Sequence, residues 1–158
     1  RIFPTSRLIR MRIRKPEHKF QSDLITQVTG ALESRKSNEV RIAGAWVILP
    51  DAEFLLFLRL IVALYEAENG FVPRGNRFGG GLVEEGIYPA QSVDQTVGRL
   101  RYRLGPALQG LDGKKFIEVS RGNIRLSTHR RRILVDRAEL LKHPDGRIQD
   151  LVGRLPED

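Results

Sequence analysis

Between residues 92 and 108 the chain carries Gln95, Arg99, Arg101, Tyr102 and Arg103 at a spacing that suits chemistry on one side of a helix. At 100° per residue, Val93, Val97, Leu100, Leu104 and Leu108 line one face, at steps of three and four. Gln95, Gly98, Arg99 and Tyr102 then fall on the opposite face, with Arg101 and Arg103 on the two flanks. A guanidinium fork matches the edge of guanine, a glutamine amide matches adenine, and flanking cations hold phosphates. The stripe therefore has the composition of a major-groove reader, and equally that of an ordinary solvated helix face. Ser92 and Gln95 read as a capping box at the start of this helix. Gly105-Pro106 disturbs its last turn.

The elements that must hold this helix can be read on either side of it. Val40-Arg41-Ile42, a turn at Ala43-Gly44 and Trp46-Val47-Ile48-Leu49 predict a hairpin. Pro50 opens a helix over 51–68, with Asp51 and Glu53 at its positive end and Asn69-Gly70 stopping it. This helix is apolar nearly all round, which predicts a central core helix. Residues 69–91 read as a mobile Gly/Pro-rich loop, with room for a helical turn over 81–86. A second hairpin follows over 116–128, turning at Arg121-Gly122, then the run His129-Arg130-Arg131-Arg132 and a helix within 135–142. Before the first hairpin, Met11-Arg12-Ile13-Arg14 alternates as a strand would, and 20–32 fits a short helix or another strand. The predicted core holds Trp46, Leu56, Leu60, Leu64, Val97, Leu100, Leu104, Ile117 and Leu126.

Composition narrows the partners. Net charge is +8 over 158 residues, and it is not spread evenly. Residues 1–37 carry +6, 38–91 carry −3, 92–132 carry +7 and 133–158 carry −2. The second basic block coincides with the helix and hairpin just described, as expected for a polyanion partner. Arginine outnumbers lysine more than threefold, which favours forked contacts over simple solubility. Without cysteine there is no disulfide and no thiolate metal site. His18, His129 and His143 lack ligand spacing, so neither a metal nor a cofactor is expected. Nor does any nucleophile sit near a base, and the expectation is a protein that is not an enzyme. The longest apolar stretch, 54–65, is interrupted by Arg59 and is too short to span a membrane, so a cytoplasmic protein is expected. The chain opens on Arg1, which points to a longer parent.

Three segments resemble one family. Leu49-Pro50-Asp51-Ala52-Glu53-Phe54-Leu55-Leu56 is similar to the first helix of OmpR/PhoB-type output domains, with their Leu-Thr-x-x-Glu-Phe-x-Leu-Leu. Val93-Asp94-Gln95-Thr96-Val97-Gly98-Arg99-Leu100-Arg101-Tyr102-Arg103-Leu104 resembles their recognition helix, Val-Asp-x-x-Ile-x-Arg-Leu-Arg-x-x-Leu. Residues 116–126 resemble their closing hairpin. The resemblance implies an α+β winged helix-turn-helix over 38–128: a three-helix core, an N-terminal hairpin and a C-terminal β-hairpin wing. Residues 1–37 and 129–158 become extensions. It further implies double-stranded DNA as partner, transcriptional control in a bacterial nucleoid, and a contact set of Asp94, Gln95, Arg99, Arg101, Tyr102, Arg103, Arg121 and Arg125. Arg99 would read a base, Arg101 and Arg103 would meet phosphates, and Arg121 would border the minor groove. A protein-interaction or dimerisation module, with loop 69–91 meeting another protein, is the alternative, as is a domain that holds nucleic acid for a larger protein.

Overall fold

The computed structural model describes residues 20–28, 37–75, 81–86 and 90–157. Two antiparallel hairpins and one long helix organise it. The first hairpin joins β2 (Ser37–Ile42) to β3 (Ala45–Pro50), in register from Ser37↔Pro50 to Ile42↔Ala45. The second joins β5 (Ile117–Ser120) to β6 (Asn123–Leu126). Each turns on two residues of positive φ: Ala43 at 49° with Gly44 at 89°, and Arg121 at 52° with Gly122 at 78°. That pair of left-handed residues gives a two-residue turn whose twist matches the strands.

The long helix, α1 (Asp51–Glu66), begins directly after β3. Pro50 caps it in an extended conformation without a side-chain hydrogen bond, and Asp51 and Glu53 stand in its first turn. Every residue from 53 to 64 is buried, so α1 is the central core helix its sequence predicts. Gly70 lets the chain leave it: at φ 74° any other residue is strained, and a Cβ would press on the buried Leu64 Cδ2 at 2.6 Å.

After β4 (Val72–Pro73) and a turn over 81–86 comes α2 (Ala90–Leu104), extended by a 3₁₀ turn over Gly105–Ala107. The helix starts two residues before Ser92, so the expected capping box does not form. Ser92 instead sits inside, its carbonyl accepting from Thr96 Oγ1 at 2.8 Å. Val93, Val97, Leu100 and Leu104 are buried along one face, as the periodicity predicts. A short α3 (Gly113–Phe116), capped by Asp112, leads into β5.

Two sheets result. One has the order β4-β6-β5. The other runs β3-β2-β1-β7, with β1 (Thr26–Val28) antiparallel to β2 and β7 (Ile133–Val135) parallel to β1. The described residues form a mixed α+β fold of five helices and two sheets, the last helices being α4 (Arg137–Leu140) and α5 (Gly146–Gly153).

The segments that sequence sets apart as extensions enter the same core. Val28, Ile133, Leu140, Ile148, Leu151, Val152 and Leu155 belong to the buried cluster around α1. His143 joins its two ends: the ring stacks on Phe54, and Nε2 meets Asn38 Oδ1 at 2.7 Å. Asn38 in turn donates to Asp51 at 3.0 Å.

Of the expected core, Leu56, Leu60, Leu64, Val97, Leu100, Leu104, Ile117 and Leu126 are buried. Trp46 is not: it is 52% exposed on β3, because Leu49 takes the inward parity of that strand. The alternation at 11–14 falls outside the described residues.

Candidate nucleic-acid interface

The exposed face of α2 carries Asp94, Gln95, Gly98, Arg99 and Tyr102, the last 85% exposed. Its burial against α1 fixes which side looks outward. No heavy atom beyond its local surroundings lies within 4 Å of a Cβ built at Gly98, so nothing in the fold obliges a glycine there. Asp94 is paired with Arg74 at 3.1 Å, close to the end of β4. Arg121 projects from the tip of the β5–β6 hairpin and is exposed.

Besides Asp94, three more of the expected contact residues are engaged within the fold: Arg101, Arg103 and Arg125. Arg101 donates Nε and Nη2 to the Ile117 carbonyl, at 3.0 and 2.6 Å, and ties α2 to the start of β5. Burial pulls its pKa below the usual arginine value, partly offset by the carboxylate of Asp112. Arg103 donates to Glu53, a buried carboxylate in the first turn of α1.

Arg125 is a clear correction. It is 2% exposed and cannot reach a ligand. Its guanidinium lies between the rings of Phe20 and Phe71, at 4.8 and 4.5 Å from their centroids. It also bonds Glu118 at 2.9 Å through Nε and the Asn69 carbonyl at 3.1 Å through Nη1. β6 is the middle strand of its sheet, and both of its faces are covered there.

Lys114 and Lys115 are exposed on α3 and absent from the expected set. Gly113 of α3 approaches the Arg101 carbonyl so closely that a Cβ would sit 3.2 Å away. The two lysines therefore stand beside the second half of α2. The signal available in the sequence was a Lys-Lys pair directly after Asp112-Gly113.

The run Arg130-Arg131-Arg132 forms a 3₁₀ turn in which His129 Nδ1 accepts from the Arg131 amide at 3.0 Å. At three residues per turn, successive side chains point about 120° apart. The three arginines radiate and do not converge on one phosphate, and Arg130 lies over the Tyr65 ring.

The expected mobile loop at 69–91 is tied down in its described parts. Leu82 is buried and donates to the Pro73 carbonyl at 3.0 Å, and Val83 donates to that of Arg74 at 3.1 Å. Arg59, buried in α1, grips Glu85 with a two-bond fork of 2.8 and 3.1 Å. Residues 76–80 and 87–89 lie outside the described set.

Among the described residues, no group of three or more His, Cys, Asp or Glu side chains is arranged to hold a metal ion. No helix among them is long and apolar enough to cross a membrane. No protein-family model, curated protein or solved structure matches the chain.

Proposed function

We propose that the chain is a winged-helix module that binds double-stranded DNA with sequence preference and serves transcriptional control. The observation that carries this reading is the exposed stripe Gln95, Arg99 and Tyr102 on α2, with the exposed Arg121 at the tip of the neighbouring hairpin. The order α1, β4, turn 81–86, α2, β5, β6 and the strand order β4-β6-β5 support a winged helix with α2 as recognition helix. The role is one of binding, without catalysis, in a bacterial cytoplasm and on nucleoid DNA.

Arg121 adds a second support. A non-glycine residue held at φ 52° costs on the order of 1 kcal/mol or more, and asparagine or glycine would sit there with less strain. A strained, exposed arginine at a hairpin tip fits a cation aimed at a narrow minor groove.

The roles of Arg99 and Arg121 are separable. Arg99→Ala is expected to weaken binding by about 1–3 kcal/mol on a duplex selected from a randomised pool, and far less on unselected duplex. Arg121→Asn, which suits the left-handed turn, is expected to weaken both more evenly. Fluorescence anisotropy on the two duplexes checks this. Equal losses from both variants on both duplexes mean that neither residue reads sequence.

Salt dependence follows from the count of available cations. Among the described cations around α2 and the β5–β6 tip, Arg101, Arg103 and Arg125 are engaged internally, and on this reading Arg121, Lys114 and Lys115 meet the backbone phosphates. About three neutralised phosphates give a slope of log affinity against log salt of about −2.7. A flat response in the same titration rules out a phosphate-bound complex.

A further inference from the structure

The outer face of the sheet β3-β2-β1-β7 collects apolar side chains that nothing described covers. Of the seven large apolar side chains exposed among the described residues, Ile25, Trp46, Ile48 and Leu134 belong to this one face. Strand parity puts them together. Val28, Val40, Ile42 and Leu49 point inward and are buried. The paired positions Trp46↔Arg41, Arg41↔Gln27 and Gln27↔Leu134 make an outward row across all four strands. Ile48↔Glu39 makes the next outward pair. Ile25 extends the face beyond β1, its carbonyl accepting from Ala43 at 2.8 Å.

The charges on this face are self-complementary. On β2, Glu39 and Arg41 stand two residues apart on the outward side, one on each side of Val40. A twofold axis lying across the strands over the Val40↔Val47 pair exchanges these two positions between facing copies. The same rotation exchanges positions 46 and 48 on β3. One operation therefore sets cation against anion and tryptophan against isoleucine. Isologous pairing demands this of a single surface. Arg41 is ordered for it, with Nε on the Gly44 carbonyl at 3.2 Å and its guanidinium over the Trp46 ring at 5.1 Å.

We propose that this face binds a second copy of the chain, with Trp46 against Ile48 and Arg41 against Glu39 of the second copy about a twofold axis over Val40. Size sets the strength. Two strands of six residues and two of three, spaced about 4.8 Å apart and rising about 3.3 Å per residue, have a footprint of about 300 Å². Tight complexes bury about 800 Å² per partner, so the dimer forms in the micromolar range or weaker. The inference is independent of DNA binding and stands or falls without it.

The test is sedimentation equilibrium of the full chain from micromolar to millimolar concentration, with emission of the single tryptophan as a second readout. The expected result is a mass rising towards twice the monomer, with a blue shift of Trp46 over the same range. Arg41→Glu makes the pair of charges wholly negative and Glu39→Arg makes it wholly positive. Each variant alone is expected to stay monomeric. An equal mixture of the two is expected to associate, because each now complements the other. Ile48→Lys, on the same exposed face, is expected to abolish association by the apolar route. A wild-type chain that stays monomeric throughout overturns the proposal. So does a dimer indifferent to all three substitutions, or a mixture that fails to associate. A monomer with blue-shifted emission at every concentration assigns the face to another part of the same chain and overturns it equally.

Discussion

Arg125→Ala is expected to destabilise the fold by about 3–5 kcal/mol, lowering the melting temperature by about 10 °C or more. Two costs combine. The truncation removes the guanidinium that packs on both the Phe20 and Phe71 rings. It also takes the cation from Glu118, which it holds at 2.9 and 2.7 Å. Arg125→Met separates the two, because methionine keeps most of the volume and loses the charge with its hydrogen bonds to Glu118 and the Asn69 carbonyl. Its expected loss is smaller. Thermal unfolding followed by circular dichroism measures both variants. In each, duplex affinity of the protein that remains folded at low temperature should match the wild type. An affinity loss with unchanged melting temperature would return Arg125 to the binding surface.

Arg125 also marks where sequence reading stops. Alternation along β6 separates Ile124 and Leu126 from Asn123 and Arg125, and a basic residue in a basic hairpin then reads as solvent-facing. What buries it is remote in sequence: Phe20 before β1 and Phe71 before β4 close over the other side of the strand. Trp46 fails for a related reason. Trp46-Val47-Ile48-Leu49 is apolar without alternation, so nothing local chooses which parity faces the core, and a one-residue change exchanges the two faces. Pairing decides, since Leu49 faces the core with Val40 and Ile42 of β2.

The helices were more legible. A nearly all-apolar run opened by Pro50 has no stable home but the core, and the three-and-four spacing from Val93 to Leu104 has one burial solution. The glutamine, arginine and tyrosine opposite that spacing were therefore exposed by necessity. β7 was out of reach, because a three-residue strand paired in parallel with β1 is more than a hundred residues from its partner and carries no turn signal between them. The same holds for His143, whose ring fits between Phe54 and Asn38 only once the chain has returned.

Arg103→Ala distinguishes the two meanings of a flanking arginine. As a phosphate contact, its loss would weaken every duplex and leave the melting temperature alone. In the structure its guanidinium serves Glu53, whose side chain is 5% exposed. Removing one partner of a buried pair costs about 3–5 kcal/mol when the remaining charge has no relief. Here there is some relief. Glu53 lies in the first turn of α1, where the helix end favours a negative charge, and Arg103 itself is half exposed, so water reaches the pair from that side. The expected destabilisation is therefore about 2–3 kcal/mol, with affinity of the folded protein unchanged. Glu53→Gln in the Arg103→Ala background is expected to recover part of that loss, because the amide carries no charge to strand. Chemical denaturation of the two single variants and the double variant closes the cycle. Additive losses would mean that the pair contributes nothing. A drop in affinity at unchanged stability would make Arg103 the phosphate contact that its place on the flank of α2 first suggests.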